Sequence, residues 1–575
     1  MTGARISFGV FDETAAQTAV FSSSRGQPWV DYSSLTDGIY PDEDPSNPTL
    51  RQFVTGEPDM VRLDGTYRLF PDDPGASLGF WSSNLSGADG AFATTPVLSC
   101  VFGGTSHSSV GVTIHFGPGS VLKDFTVEWQ NRAGGVMSTK QVQGNTNSTV
   151  YLANNVDGYY GLRITCRTTD APYRYVQIQE VEFGEKIIYD QAALVSASVV
   201  EEVDISGASV PAGSLQFTAL DPAGRLNPVN PEGIYNNLRK GIPINVEFLV
   251  GSTYYPGGIY YLDTWDGSNT ATAKLTAVDE IGLKSAMQYA SSFLQDVSAD
   301  DIFDGIFSVC QTQGHVSTGV GSGVYIGYIP LCGYQEALSH ACLACGGFVR
   351  QDRTGGITIL PTPNTQSPEE ISGGDVLGDP VAVQTKPINQ VSVEEYSYKV
   401  SDSDDFSKYI DIQLGPDKRY YRYTFDGVYD RLQSWIVSGQ GQGSWHEEGH
   451  GSGYNYVDFD AWADGPQPPL YVEVTGRQVT VNSYTKQMSD DGGGNIIEAS
   501  GIPLITKDNA EQVVSRLREY GGLELKIKAK IKWTPGMQCG DCVSIPTRFG
   551  PVVGHITRMD IDLTGGLLAT VEVLA

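Results

Sequence analysis

Residues 199–284 read VVEEVDISGASVPAGSLQFTALDPAGRLNPVNPEGIYNNLRKGIPINVEFLVGSTYYPGGIYYLDTWDGSNTATAKLTAVDEIGLK. Apolar residues alternate with polar ones in three runs, which predicts strands with one buried face. These apolar positions are Leu215, Phe217 and Ala219, then Ile244, Val246 and Phe248, then Ala271, Ala273 and Leu275. Turn residues at 221–224, 256–258 and 266–267 separate the runs. The stretch therefore predicts five or six short strands that close into a compact barrel or sandwich, without the acid, base and nucleophile of an enzyme.

The composition predicts a large, mainly β protein of several domains. The chain has 575 residues, of which 67 are Gly, 30 Pro and 30 Tyr. Its formal net charge of −30 would repel phosphates, so we expect no binding to nucleic acid or to an anionic membrane surface. No run approaches the ~20 apolar residues that a membrane-spanning helix needs. The residues from Met1 to Ile6 are not typical of a signal peptide, so we expect synthesis in a cytoplasm.

Two cysteine pairs have the spacing of metal knuckles. Cys342 and Cys345 lie on a predicted helix, and Cys539 and Cys542 flank a Gly-Asp turn almost two hundred residues later. A zinc site usually has its knuckles closer in sequence, although the separation alone does not exclude one. We favour Cys342 and Cys345 as small hydrophobic residues of a helix core and Cys539 and Cys542 as residues that flank the turn, with zinc or a disulfide as the alternative.

Residues 446–450 match the H-E-x-x-H pattern of zinc hydrolases, with His446 and His450 as ligands and Glu447 as the base. That chemistry requires both histidines on one face of a helix. Glycines crowd the segment, and each costs a helix about 1 kcal/mol relative to alanine. We therefore predict a flexible glycine-rich loop, no metal ligand and no catalytic residue.

The region 88–188 reads as successive strands of a β-sandwich. Its order of apolar and turn residues resembles the galactose-binding-like jelly roll, a fold that many carbohydrate-binding modules share. Sugar-binding modules present flat aromatic side chains that stack on a pyranose. The candidates here are Trp129, Tyr159, Tyr160 and Tyr173. Fold is not function, and most of these rings are expected to belong to a core or an interface.

Three segments of the chain resemble, in the same order, the tail hub proteins of tailed bacteriophages. The first segment, 190–290, carries Asp204, Phe217, Asn227-Pro228, Asn230-Pro231, Gly258, Tyr261-Leu262, Trp265 and Asp279. The second has a helix at Tyr334–Cys345 followed by a hairpin that ends at Pro361. The third has a P-G-x-x-x-G-D pattern at 535–541. The resemblance implies a first hub barrel, a small α/β module and a second hub barrel.

The predicted fold is thus mainly β and multi-domain, with β-barrels, a jelly-roll-like β-sandwich and a small α/β module. The predicted domains are an extended N-terminal arm (1–87), the galactose-binding-like sandwich (88–188), the first hub barrel (189–290), the α/β module (291–365), a β-rich insertion with the glycine-rich loop (366–505), and a helix with the second hub barrel (506–575).

The resemblance further implies a virion protein at the tip or baseplate of a phage tail, assembled in the host cytoplasm. We expect a homotrimer without a cofactor, placed between a distal tail or tube protein above and a fibre, spike or receptor-binding protein below. Two alternatives remain open at the level of sequence. One is a tail-associated adhesin that binds a host cell-surface glycan through 88–188, and the other is a zinc-dependent wall hydrolase at the H-E-x-x-H segment.

Overall fold

The computed structural model describes residues 2–27, 30–36, 57–58, 79–117, 120–230, 234–235, 238–267, 271–321, 323–362, 367–385, 388–414, 419–438, 445–463, 470–489 and 495–575. The chain divides into two compact units. One comprises Ser7–Tyr189 and Pro228–Ile244, and the other comprises Met1–Ile6, Asp190–Asn227 and Asn245–Ala575.

The unit that contains Ser7–Tyr189 is a β-sandwich with one short helix. Its elements are β1 (Thr2–Phe11, shared with the other unit), α1 (Glu13–Thr18), β2 (Ala19–Ser24), a 3₁₀ turn (Ser33–Thr36), β3 (Phe80–Trp81), β4 (Val97–Phe102), β5 (His107–Phe116), β6 (Leu122–Gln130), β7 (Val136–Val142), β8 (Thr149–Tyr159), β9 (Gly161–Thr169) and β10 (Gln177–Tyr189).

Two sheets enclose the core of this sandwich. One has the order β2-β4-β9-β6-β7, and in the other β10 pairs with β3 and β5, and β5 pairs with β8. Apolar side chains of both sheets form one cluster, with Ile114, Val127 and Phe183 among its members. The region 88–188 therefore forms successive strands of a β-sandwich, as its sequence predicted.

The predicted N-terminal arm is wrong for residues 2–24. This segment forms β1, α1 and β2, and the side chains of Ile6 and Phe8 are fully buried within the chain. Asp12 caps α1 by accepting a hydrogen bond from the Ala15 amide at 2.8 Å. Much of the rest of 1–87 lies outside the described residues.

The other unit begins with the strands predicted from 199–284. They are β11 (Leu194–Glu202), β12 (Ser214–Leu220), β13 (Pro243–Val250), β14 (Thr253–Gly267) and β15 (Thr272–Val278), followed by α2 (Glu280–Leu283) and a 3₁₀ turn (Lys284–Ala286). All the alternating apolar residues are buried except Ala271, which lies in the turn before β15 with φ +57°. The turns predicted at 256–258 and 266–267 are absent, because β14 runs through both and absorbs Gly258 at φ +115°.

Next come the small α/β module and short strands. These elements are β16 (Gln288–Tyr289), β17 (Leu294–Val297), α3 (Ala299–Val309), β18 (Gly314–Val316), β19 (Tyr325–Gly327), β20 (Cys332–Gly333), α4 (Tyr334–Cys345), β21 (Gly347–Gln351), β22 (Ile357–Pro361), β23 (Glu369–Glu370) and β24 (Val381–Gln384). As predicted, α4 ends at Gly346, which adopts the left-handed conformation at φ +84°.

The remainder comprises an inserted sandwich and the C-terminal strands. The elements are β25 (Ile388–Val400), β26 (Phe406–Ile412), β27 (Arg419–Thr424), β28 (Val428–Ser438), β29 (Trp445–Ser452), β30 (Tyr456–Ala463), β31 (Leu470–Ser489), β32 (Asn495–Ala499), α5 (Ala510–Gly521), β33 (Leu525–Lys532), β34 (Cys542–Thr547), β35 (Gly550–Asp562) and β36 (Leu568–Leu574). The mainly β, multi-domain fold class is confirmed.

The two predicted hub barrels are joined edge to edge in one sheet. Its strand order includes β24-β33-β36-β35-β11-β12-β15-β14-β13. The connection is the antiparallel pairing of β11 with β35, from Ser198 opposite Asp562 to Glu202 opposite Arg558. The strands of 199–284 therefore do not close on themselves as predicted, because the outer edge of β11 pairs with the C-terminal segment.

The insertion is a second, smaller sandwich. Strands β26 and β28 flank the first half of β31 in one sheet, and β27-β30-β29 form the other. Val457, Val472 and Val474, all fully buried, belong to the apolar cluster of this sandwich. The opposite face of the β26-β31-β28 sheet is left to solvent.

Candidate functional site

The best-defined polar site of the described residues joins the two barrel segments to the α/β module. Arg353 lies in the turn between β21 and β22, and its guanidinium donates to both carboxylate oxygens of Glu201 on β11 at 3.0 Å. It also donates to the carbonyl oxygens of Pro535 and Met537 at 2.6 Å each. We call Arg353, Glu201 and the 533–537 loop the arginine clamp.

The local sequence explains why this arginine can be buried. Asp352 accepts hydrogen bonds from the Thr354 amide at 2.7 Å and the Gly356 amide at 3.1 Å, which closes the turn. Gly355 occupies φ +97° and packs close to Ile259 on β14. The turn thereby holds Arg353, whose side chain is only 7% exposed, against β11.

Aromatic rings cover the clamp. The Arg353 guanidinium lies 4.5 Å from the centre of the Trp533 ring, a cation–π contact. Trp533 in turn packs edge to face on Phe248 of β13, with ring centres 4.4 Å apart. Both rings are nearly or fully buried, so the ion pair is shielded from water. In such surroundings the loss of one charged partner is costly, because the other charge stays buried and unpaired.

A second arginine of the same hairpin repeats this arrangement. Arg350 donates to the carbonyl of Cys539 at 3.2 Å and to the carboxylate of Asp541 at 3.0 Å. The neighbouring Gln351 accepts from the Glu280 amide at 2.7 Å and donates to the Ile259 carbonyl at 2.9 Å. One hairpin thus binds the backbone of both barrel segments.

Asp279 lies beside the clamp and fixes the start of α2. It accepts hydrogen bonds from the Gly213 amide at 2.6 Å and the Gly282 amide at 2.8 Å. Burial raises the pKa of its carboxyl from 3.8 to about 7, although both amide hydrogen bonds favour the charged form. Asp279, Arg353 and Cys539, one from each of the three segments that resemble hub proteins, therefore line one cavity.

This buried carboxyl makes stability depend on pH. Between about pH 4 and pH 7 the folded chain holds a proton on Asp279 that the unfolded chain has released, so the free energy of unfolding falls as the pH rises through this window and is level above it. We expect Asp279→Asn to remove this part of the slope. Urea denaturation at pH 4.5 and 7.5 measures it, with Asp266→Asn at an exposed position of β14 as the control. Equal slopes for the wild type and Asp279→Asn would contradict the assignment.

The H-E-x-x-H segment is a strand, so the predicted loop is wrong for residues 445–452. His446 and His450 belong to β29, where they lie opposite Trp462 and Phe459 of β30. Four residues span about 13 Å in a strand and about 6 Å in a helix. The backbone therefore lacks the helical spacing on which the zinc-hydrolase alternative rests.

The four candidate cysteines are buried free thiols. Cys342 and Cys345 are in the core cluster of the α/β module, and the Cys539 thiol donates to the Glu201 carbonyl at 3.4 Å. Burial raises the pKa of the Cys342 and Cys539 thiols well above 9, which favours the protonated thiol at neutral pH. Within the described ranges, no three His, Cys, Asp or Glu residues are grouped as metal ligands. No helix in the described part of the chain is long and apolar enough to span a membrane.

Two of the four predicted sugar-stacking residues cannot serve that role. Trp129 is fully buried and donates to the Ser109 hydroxyl at 3.2 Å, while Tyr159 is 1% exposed and packs edge to face on Phe102. Their apolar bodies fill the sandwich core, which the alternation of β6 and β8 did not reveal. Tyr160 is half-buried beside Arg132, and Tyr173 is exposed at a turn with φ +57°.

Sequence reasoning assigned no role to Glu201 or Arg353. Glu201 is one of two adjacent glutamates, and only the strand register shows which of them faces the arginine. Arg353 has a recognisable signal, an arginine held in an Asp-Arg-Thr-Gly-Gly turn, but its partners are 152 and 182 residues away in sequence.

No protein-family model and no curated protein matches this chain. Among solved structures, it is similar to the 43 kDa tail protein of prophage MuSo2 from Shewanella oneidensis, with 12% identity, 68% of this chain and 95% of that chain covered, and a TM-score of 0.38. It is also similar to a tail protein of Neisseria meningitidis MC58, with 8% identity, 68% and 94% coverage, and a TM-score of 0.39.

A shorter similarity is to the family 32 carbohydrate-binding module of NanJ from C. perfringens, which was solved in complex with galactose. The identity is 12%, 31% of this chain and 99% of that chain are covered, and the TM-score is 0.19. Prophage tail proteins are thus among the structural neighbours of this chain. With TM-scores below 0.5, these similarities assign it no function.

Proposed function

We propose that this protein is a structural component of a phage tail, a hub that joins the tail tube to a fibre, spike or receptor-binding protein at the tip or baseplate. The observation that carries the proposal is the continuous sheet across β11 and β35. It joins the two segments that resemble the hub barrels, with Ser198 of the first opposite Asp562 of the second.

The sheet has the two faces that a ring wall needs. One face carries the apolar residues Val199, Leu215 and Ile561, all fully buried. The other face is polar along β12 and β15, where Gln216 and Lys274 are exposed. In a ring of such sheets, the polar face would line a water-filled opening and the apolar face would pack against the outer domains.

An edge of the sheet supports assembly with further copies. Strand β24 is an edge strand: within the described residues, β33 is the one strand that pairs with it. Val381 and Val383 on this strand are 60% and 58% exposed. A sheet edge with exposed valines invites pairing with another chain. We propose that a second copy of the chain covers this edge in a closed homotrimer, whose two barrel segments per chain give the ring a six-fold-like wall.

The arginine clamp fits the same role. A ring wall must keep the angle between its two barrel segments fixed, and Arg353 ties both segments to one rigid hairpin. This role is geometric and needs no catalytic residue.

The oligomeric state of the purified chain tests the proposal. A stable trimer separates a hub from a monomeric enzyme or adhesin, because only the hub requires the ring. A chain that stays monomeric at all accessible concentrations would contradict it.

A further inference from the structure

Three aromatic side chains stand on the solvent face of the inserted sandwich. Tyr409 on β26 is 59% exposed, Trp435 on β28 is 58% exposed and Tyr471 on β31 is 43% exposed. The outer face of a two-layer sandwich is normally polar. Large exposed aromatics on such a face are a mark of a binding surface.

The strand register places these rings around a carboxylate. Glu473 on β31 lies directly opposite Tyr409 on one side and Trp435 on the other. Tyr471 is two residues before Glu473 on the same strand, so it shares the face. Because neighbouring strands are about 4.8 Å apart, the attachment points of Tyr409 and Trp435 are separated by about 10 Å.

The carboxylate is held in place by its neighbours. The Ser407 hydroxyl donates to Glu473 at 3.2 Å. A hydrogen bond to the same carboxylate raises the pKa of Tyr409. Glu473 is thus a fixed acceptor between two rings, with lone pairs left for a further donor.

We propose that this face binds an uncharged polysaccharide, with the rings of Tyr409, Trp435 and Tyr471 stacked on successive sugar units and Glu473 accepting sugar hydroxyls. The apolar C–H face of a pyranose packs on an aromatic ring, and its hydroxyls need acceptors at the ring edges. We call these four residues the aromatic face.

The remaining side chains of the aromatic face fit a polyhydroxylated ligand. The register also places Ser407, Asp411, Gln433, Thr475 and Arg477 on this face, and Arg477 forms an ion pair with Asp430 opposite it on β28. None of these is aliphatic, and the guanidinium of Arg477 is already paired with the buried carboxylate of Asp430. The carboxylates of Asp411 and Glu473 would repel a phosphate-bearing or uronic-acid polymer.

The same composition disfavours a protein partner. The centre of a protein interface is dry and depleted of charged residues, whereas Glu473 occupies the centre here. Burying this carboxylate under an apolar partner surface would cost its hydration. A hydrated, hydroxyl-rich chain can replace that hydration with hydrogen bonds.

The inference does not depend on the hub role, and it moves the glycan-binding hypothesis from the 88–188 sandwich to the insertion. Its test is affinity electrophoresis of the full-length protein in gels that contain a neutral glucan, a neutral galactan, a neutral mannan or, separately, polygalacturonate. We expect retardation by at least one neutral polymer and none by polygalacturonate. Trp435→Ala should weaken the apparent affinity at least tenfold, and Trp435→Phe, which keeps a ring, should weaken it less.

Tyr151→Ala is the matched control, because it removes an exposed tyrosine of β8 from the other sandwich. It should leave the retardation unchanged, and circular dichroism should show that all the variants are folded. Retardation by none of the neutral polymers, equal retardation of Trp435→Ala and the wild type, or retardation by polygalacturonate alone would overturn the proposal. Loss of the oligomer in Trp435→Ala, without loss of a glycan interaction, would assign the face to a protein interface instead.

Discussion

Replacement of Arg353 by alanine is expected to lower the free energy of unfolding by about 3–5 kcal/mol. The substitution leaves the carboxylate of Glu201 without its partner, and it also removes the donors to the carbonyls of Pro535 and Met537. The Trp533 ring also loses its cation–π contact, and a cavity forms where the arginine side chain was. Few single substitutions in this chain remove as many buried interactions at once, so we expect one of the largest effects here.

Urea denaturation monitored by Trp fluorescence measures this loss. Arg548→Ala is the matched control, because Arg548 is exposed in a hairpin turn, where its guanidinium lies over the ring of Phe549. We expect that variant to stay within about 0.5 kcal/mol of the wild type. The double variant Arg353→Met with Glu201→Gln should recover part of the loss, since it leaves no unpaired buried charge. An Arg353→Ala variant as stable as Arg548→Ala would show that the clamp does not hold the barrel segments.

Replacement of Val381 and Val383 by glutamate is expected to convert the trimer into monomers. Both valines are exposed on the edge strand β24, and in the proposed ring a second copy covers them. In the trimer, the two new carboxylates would have to lose their hydration where the second copy covers β24. Within the chain, the new side chains lie opposite Lys528 and Lys526 of β33, so β24 itself gains favourable cross-strand pairs.

Light scattering coupled to size-exclusion chromatography measures the outcome. The control changes another pair of exposed valines, Val20→Lys with Val101→Glu, which face each other across β2 and β4. We expect the control to keep the mass of the wild type. A trimeric double glutamate variant would place the interface elsewhere on the chain.

Local patterns predicted most of the elements because their causes are local. Leu215, Phe217 and Ala219 alternate on a strand that buries one face, and Gly346 ends α4 because it adopts a left-handed conformation. The core stripe of α5, with Val513 and Leu517, is likewise visible from a period of 3.6 residues.

The errors have non-local causes. The first barrel segment is open because β11 pairs with β35, and no pattern near Val199 reveals a partner at Ile561. Residues 2–11 look like a free arm, but their burial depends on strands that follow much later in the chain. The segment at 445–452 was predicted as a loop from its glycines, yet pairing with β30 holds it as a strand. Strand pairing overrides local propensity in each case.

The candidate sites divide in the same way. Aromatic residues such as Trp129 and Tyr159 were visible as residue types, but only packing shows that they belong to the core. The aromatic face was missed because its rings come from three separate strands. The signal in the sequence is an aromatic residue at a polar position of the alternation, as Tyr471 shows beside the buried Val472.

The mass of the purified protein in solution tests the hub proposal most directly. The chain has a mass of 61.9 kDa, and native mass spectrometry resolves a species of three chains from one of a single chain. We predict a stable species of three times 61.9 kDa that persists on dilution. A single species of 61.9 kDa at every concentration would contradict the proposal.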